Sequence, residues 1–203
     1  MADDRSADDA SAGLVEVWRA IDATFARVRT RHPAALACRA GCADCCAAGL
    51  AVTAREAEAI ARFVLGLDEA AAAALRALTE RAADDASCAL LDSDAACSIY
   101  PARPVVCRTF GLPHRAVPEL AFEDGKRRLR VLERGATEGA ATTHHTCGKN
   151  FLGVRDNELT EDVIVDQAFI RWRIRPEKGT EPLIEVVRAA LAMRIEVRGG
   201  PAR

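Results

Sequence analysis

The chain has 203 residues, of which 50% are hydrophobic and only 4% aromatic, with a formal net charge of −2. That length suits one substantial domain, or a domain with a terminal appendage. The near-neutral balance excludes a global pull toward nucleic acid or anionic membrane, and no apolar run approaches the roughly 20 residues of a membrane span. The opening Met1-Ala-Asp-Asp-Arg-Ser-Ala-Asp-Asp9 is acidic and has no apolar core. No secretory signal is read there, and the expected compartment is the cytoplasm. Thiols stay reduced in that setting, so clustered cysteines read as metal-binding or catalytic before they read as disulfides.

Residues 1–10 are polar and are expected to be a disordered N-terminus. From Ser11, Leu14, Trp18, Ile21, Phe25 and Val28 recur at helical spacing, which predicts an amphipathic helix. His32-Pro33 ends it, because the residue before proline disfavours the helical region. Trp18 and Phe25 read as core packing rather than as ligands. A cysteine loop follows, Cys38-Arg-Ala-Gly-Cys42-Ala-Asp-Cys45-Cys46, and then Leu50-Ala-Val52. Thr53-Ala-Arg-Glu56 fits a capping box, opening a helix that turns Ile60, Phe63 and Val64 inward and stops near Gly66. Asp68 caps a second helix to about Asp85, with Leu75 and Leu78 as its apolar anchors.

Cys88-Ala-Leu-Leu and Cys97-Ser-Ile-Tyr100 flank Asp-Ser-Asp-Ala-Ala, a tight hairpin that would bring Cys88 near Cys97. Pro101 to Arg108 reads as a short helix with Pro104 in its first turn. Asp124-Gly125 between Leu120-Ala-Phe-Glu and Lys126-Arg-Arg-Leu-Arg-Val is a further hairpin signal. The basic run Lys126–Arg130 reads as a solvated strand face rather than a phosphate or nucleic-acid site. A small-residue loop then leads to His144-His145-Thr146-Cys147. Thr160 caps a helix to about Ile174, and Thr180 with Pro182 starts another that ends near Gly199. No repeat or linker interrupts the chain. The expected fold is mainly α with small β-hairpins: a single cysteine-rich metal-binding domain over 11–155, carrying the N-terminal helix, with the C-terminal helical segment 156–203 packed on the same domain.

The chemistry lies in the cysteines. Four sulfurs fall within the nine residues Cys38–Cys46, and their neighbours are small or polar. Such a loop contributes little core volume, whereas thiolate–metal bonds supply about 10–16 kcal/mol of apparent folding energy. Thiolate is the soft ligand shared by zinc, iron–sulfur clusters and Cu(I). The eight sulfurs of Cys38, Cys42, Cys45, Cys46, Cys88, Cys97, Cys107 and Cys147 suffice for two four-coordinate sites, one cluster with spare thiols, or a polynuclear centre. Vicinal Cys45 and Cys46 seldom chelate one ion, so they serve two sites, or one ligates while the other packs. Simple burial as small hydrophobes explains one or two thiols, such as Cys88. A dithiol redox role for Cys42-Ala-Asp-Cys45 lacks the thioredoxin-type context.

Arg103 and Arg108 stand close to Cys107, where their charge favours thiolate and offsets a negative cluster; the plain alternative is carboxylate pairing. His144 and His145 precede Cys147 closely enough for one to complete a metal shell, while His32 and His114, near prolines in loops, read as solvated. Cys38-x3-Cys42-x2-Cys45 is also the spacing of radical S-adenosylmethionine enzymes. The barrel alternation of that family is missing and Asp44 occupies a position usually aromatic there, so membership is rejected, although the spacing suits three corners of a cubane cluster. Intervals of three, two and one residues fit a cluster better than the paired Cys-x2-Cys units of structural zinc. No GxGxxG, P-loop, HExxH or nucleophile elbow is present.

Taken together, Cys-x3-Cys-x2-Cys-Cys, then Cys97-Ser-Ile-Tyr100-x2-Arg103-Pro104-x2-Cys107-Arg108-x-Phe110, then a late Cys147, resemble the YkgJ-like CxxCxxCC family. That family is described as zinc- or iron-chelating, and its motif also occurs in flagellin lysine N-methylases. The resemblance covers roughly residues 38 to 147. It implies that Cys38, Cys42, Cys45, Cys46, Cys97, Cys107 and Cys147 belong to a metal centre, joined by Cys88, and that Tyr100, Arg103, Pro104 and Arg108 support it from behind. The leading expectation is a protein that holds an iron–sulfur cluster (4Fe-4S) or zinc, with redox or cluster-assisted protein modification, methyl transfer included, as its chemistry. The competing expectations are a structural zinc module for a protein partner, and metal storage or delivery. Neither membrane nor nucleic acid is an expected partner.

Overall fold

The structure, a computed structural model, describes residues 4–81, 87–115, 143–145, 147–166, 170 and 179–199. In chain order its elements are α1 (Asp4–Arg31), β1 (Ala51–Thr53), α2 (Ala54–Leu65), α3 (Glu69–Glu80), α4 (Val105–Thr109), β2 (Pro113–Arg115), β3 (Thr143–His145), β4 (Val165–Asp166), β5 (Thr180–Pro182) and α5 (Leu183–Gly199), with 3-10 turns at Pro33–Ala35, Tyr100–Ala102, Asp156–Glu158 and Glu161–Val163. The fold is mainly helical with small strand pairs, as the sequence predicts. Among the described residues no helix is long and apolar enough to cross a membrane. The chain divides into two units: unit 1 comprises Met1–Ser11, Ala40–Cys107 and Pro176–Arg203, and unit 2 comprises Ala12–Arg39 and Arg108–Arg175.

Unit 1 is built on a two-stranded antiparallel pair, β1 with β5, in the register Ala51↔Pro182, Val52↔Glu181, Thr53↔Thr180. The Leu183 N–H donates to Leu50 O at 2.8 Å, so α2 and α5 both leave this short ribbon at fixed positions. Ile60 and Val64 of α2, Ala72 and Leu75 of α3, and Leu183, Val186, Val187, Ala190 and Leu191 of α5 are buried. Their three- and four-residue spacing puts each set on one helical face. Two arginines of α5 satisfy carbonyls at the C-terminal ends of the other helices: Arg194 Nη1 donates to Leu65 O and Arg188 Nη2 to Thr79 O, both at 2.7 Å. Orphan carbonyls and the negative pole of the helix dipole both favour a cation there.

Sequence and structure differ at both ends of this arrangement. Helix α3 stops at Glu80, short of Asp85, because Arg81 turns extended and its Nη2 donates to Leu91 O at 2.8 Å. Helix α5 starts at Leu183 rather than Thr180: Thr180–Pro182 is instead the strand that completes β1.

The capping box forms as expected, Thr53 Oγ1 accepting from Glu56 N and Glu56 Oε2 accepting from Thr53 N at 3.0 Å. Glu56 does more than cap. It is 6% exposed, and its second oxygen, Oε1, accepts the Val105 N–H at 2.8 Å. One carboxylate therefore fixes the start of α2 and the start of α4, two residues before Cys107.

In unit 2, α1 buries Leu14, Val17, Ile21, Thr24 and Val28. The core stripe includes Val17 and Thr24 rather than Trp18 and Phe25, which are half-buried beside it. Arg108 lies against Trp18: its guanidinium carbon is 4.5 Å over the ring, and Nη1 pairs with Asp22 Oδ2 at 2.7 Å. The α1 helix starts ahead of Ser11, through a stretch without proline or glycine.

Strand β2 lies between β3, antiparallel with His114 opposite His144, and β4, parallel with His114 opposite Val165. The helix expected from Thr160 is absent over Glu161–Asp166. Thr160 makes no backbone cap; its hydroxyl donates to Asp162 Oδ1 at 2.6 Å, Glu161–Val163 form a single 3-10 turn, and the β-branched Val165 goes into the sheet, where such side chains pack well. His114, expected to be solvated, is buried, with Nε2 at 3.1 Å from Thr109 O. The Asp124-Gly125 hairpin and the basic run Lys126–Arg130 lie outside the described residues.

The double duty of Glu56 gives a direct test. Glu56→Ala strands the buried Val105 N–H and is expected to lower the unfolding free energy by about 1–3 kcal/mol, while Glu58→Ala, at an exposed position on the same helix, stays within about 0.5 kcal/mol. Chemical denaturation of both variants measures it.

Candidate metal centre

In unit 1 the cysteines are gathered by backbone hydrogen bonds rather than by regular structure. Gly41 turns the first loop at φ +79°, a left-handed conformation that glycine adopts without strain. The Cys46 N–H closes a turn onto Ala43 O at 2.8 Å. Ala47 then bridges Ser87, and the Cys88 N–H donates to Cys46 O at 2.9 Å, which places Cys88 beside the loop. The expected hairpin between Cys88 and Cys97 is a tight turn with one antiparallel bridge, Leu91↔Cys97. Asp92 Oδ1 holds its tip, accepting the N–H groups of Asp94 and Ala96 at 2.9 Å each. Leu90 and Ile99 are buried beneath it. From Cys97 the chain enters the 3-10 turn Tyr100–Ala102, and α4, anchored by Glu56, delivers Cys107.

The electrostatics show which thiols share a neighbourhood. Cys45 and Cys46 hydrogen-bond to each other, and the pair splits: the bond to Cys46, then desolvation, raise the Cys45 thiol, while the bond from Cys45 lowers Cys46. Lowering of Cys46 is opposed by desolvation and by the thiols of Cys107, Cys88 and Cys97. Burial pushes Cys107 up to about 12, with the thiols of Cys97, Cys88 and Cys45 adding to it and Arg103 opposing. Cys97 is raised by burial first, and Arg103 again opposes. Cys46 thus lies within electrostatic reach of Cys45, Cys88, Cys97 and Cys107, and Arg103 within reach of Cys97 and Cys107. The Arg103 guanidinium stacks 4.0 Å over the ring of Tyr100, which is 56% exposed. Cys42 is half-buried in the same loop as Cys45 and Cys46.

Among the described residues, no three His, Cys, Asp or Glu side chains already converge to hold an ion. The thiols are collected but the shell is not closed, with Cys45 and Cys46 turned on each other. The donor set nevertheless fits a soft metal by its chemistry. Each sulfur that ionises raises the cost of ionising the next, and a cation reverses that sign for all of them.

Unit 2 carries Cys38 and Cys147, both half-buried. Asn150 connects them: its Nδ2 donates to Cys38 Sγ at 3.2 Å and its N–H to Cys147 O at 3.3 Å. His144 and His145 lie in β3 at register positions opposite His114 and Pro113. Arg108, 5% exposed, is engaged by Asp22 and Trp18. Asn150 and the second role of Glu56 are not legible in the sequence: a single asparagine carries no spacing, and a capping glutamate looks the same whichever groups its second oxygen meets.

Residues 37–134 match the family model CxxCxxCC, described as "Putative zinc- or iron-chelating domain". The match includes every cysteine from Cys38 to Cys107 and stops short of Cys147 and Asn150. No curated protein and no solved structure matches the chain.

The two arginines separate by experiment. Arg103→Ala removes a cation that favours thiolate at Cys97 and Cys107, so alkylation of Cys107 by iodoacetamide at neutral pH is expected to slow. Asp22→Ala leaves that rate unchanged and instead lowers stability by about 1–3 kcal/mol, because it removes a hydrogen bond to the buried Arg108. Peptide-resolved mass spectrometry and thermal melts read the two effects.

Proposed function

We propose that this chain is a metal-binding protein in which clustered cysteines hold an iron–sulfur cluster or zinc. The observation that carries the reading is that four thiols of unit 1, Cys45, Cys88, Cys97 and Cys107, drawn from three stretches of chain, all lie within electrostatic reach of Cys46. Cys42 supplies a sixth sulfur from the same loop; Cys38 and Cys147 are candidate donors within unit 2, taken by itself. The match of residues 37–134 to a chelating domain supports the same chemistry.

Cys46, whose thiol the hydrogen bond from Cys45 lowers, would be one of the sulfurs that hold the metal, with Cys45 beside it. Arg103 offsets the charge that several thiolates accumulate, and stacking on Tyr100 keeps its guanidinium in place. A bound iron–sulfur cluster supplies one-electron redox chemistry, and cluster-assisted modification of a protein substrate, methyl transfer included, is its natural extension. The reducing cytoplasm suits the free thiols. A second reading is a zinc module that presents a surface to a protein partner. It is favoured by the exposed Tyr100 ring lying under Arg103 beside the thiols, since aromatic and arginine side chains dominate protein contacts.

Metal and acid-labile sulfide analysis of protein purified without oxygen decides between these readings. Iron with sulfide and a broad absorption near about 400 nm establishes the cluster. Stoichiometric zinc without sulfide establishes the binding module, and a chain that takes up neither metal defeats both. In either metal case Cys46→Ser is expected to abolish stoichiometric loading. Chelator stripping is expected to cost about 4 kcal/mol of stability relative to protein held at 1,000 times its Kd in free metal.

A further inference from the structure

Asn150 sits in a polar knot in unit 2. It is 2% exposed and its carboxamide is engaged at both ends. Oδ1 accepts the Ala37 N–H at 2.9 Å, and Nδ2 donates to Gly111 O at 2.7 Å and to Cys38 Sγ at 3.2 Å. Both amide hydrogens are therefore used, one on a carbonyl and one on a sulfur. A thiol sulfur is a weak acceptor, whereas hydrogen bonds to charged acceptors are roughly twice as strong as neutral ones. A buried N–H aimed at Cys38 thus gains most when that sulfur is a thiolate or a metal ligand.

The surroundings are shaped for this contact. Gly111 stands at φ +90°, and a Cβ there would lie 2.6 Å from Asn150 Nδ2 and 2.9 Å from Cys38 Sγ, so the approach needs a glycine. Phe151, next to Asn150, adopts φ +57° although it is bulky and fully buried, and its N–H donates to Ala35 O at 2.6 Å. Left-handed backbone at such a residue persists only where its neighbours over-determine it. The Asn150 N–H closes onto Cys147 O, so the turn that carries Asn150 begins at another cysteine. Residues 35–38, 111 and 147–151 are pinned around one sulfur.

We propose that Asn150 is a positioning residue for metal binding: its side-chain N–H aims and stabilises the Cys38 sulfur as a ligand, and Gly111 leaves the gap in which it does so. This rests on the chelation reading above. A purely structural clamp would hold the three segments whatever atom residue 38 offered; a positioning role depends on the sulfur.

Asn150→Asp preserves the size of the side chain and the acceptor for Ala37, and replaces the donor facing Cys38 with an oxygen. Zinc(II) affinity, measured anaerobically by competition with a chromophoric chelator, with iron(II) in a parallel titration, is expected to fall about 10–100-fold. Placed on a Cys38→Ala background, the same substitution is expected to add no further loss. Equal weakening in both backgrounds, no weakening in either, or loss of the folded circular dichroism spectrum in both makes Asn150 a structural clamp and overturns the proposal. A second readout needs no metal. Iodoacetamide alkylation followed peptide by peptide is expected to slow at Cys38 in Asn150→Asp while Cys45 keeps its rate; an unchanged Cys38 rate overturns the proposal. If the unsubstituted chain binds neither metal, the chelation reading falls by itself, and the aiming of the Cys38 sulfur by Asn150 stands or falls on alkylation.

Discussion

A group of neighbouring thiols resists ionisation collectively. Every sulfur that loses its proton makes the next loss harder, and burial adds to the cost at Cys97 and Cys107. The rest of unit 1 is arranged around this constraint. Turns, two isolated bridges and a short helix bring the sulfurs together, and Arg103, stacked on Tyr100, is the cation that opposes the rise at Cys97 and Cys107. The hydrogen bond between Cys45 and Cys46 is the local compromise, raising one thiol while lowering its neighbour. A cation that binds several sulfurs turns mutual opposition into mutual support, which is why metal binding and ordering of such loops are linked.

The scaffold solves a different problem, that of holding irregular loops to a fixed frame. Glu56 is the joint. A capping residue normally serves only its own helix, but here the second carboxylate oxygen reaches the first N–H of α4 and so sets the approach of Cys107. In unit 2 Asn150 does the comparable task for Cys38, tying three segments through one carboxamide. Both residues are buried polar groups with their hydrogen bonds satisfied, the condition under which such groups specify a structure rather than weaken it.

Much of this was legible in the residues themselves, for physical reasons that differ from place to place. The capping box, the Gly66 stop and the burial of Ile60 and Val64 follow from local hydrogen bonding and periodicity and formed as read, whereas Phe63 is only half-buried. The closeness of Cys88 and Cys97 follows from a polar five-residue tip between apolar runs. What failed was non-local. Thr180–Pro182 looks like a helix start until β1, far away in sequence, offers it a strand partner. Thr160 looks like a cap until β2 recruits Val165. Trp18 belongs to the helical stripe by spacing, yet it is only half-buried, with Arg108 against its ring. For the candidate centre, the motif identified the sulfurs and two of the arginines, but only the folded chain separated Arg103, beside the thiols, from Arg108, which Asp22 holds.

The pairing of β1 with β5 has a consequence for the order in which the protein is made. Unit 1 is discontinuous, its cysteine loops lying in Ala40–Cys107 and its closing strand and helix in Pro176–Arg203. On a ribosome the cysteine loops emerge well before β5 can pair with β1 and before Arg188 and Arg194 can cover the ends of α3 and α2. At about 5–20 residues per second, that interval lasts several seconds. During it the nascent chain displays clustered sulfurs on an unfinished frame.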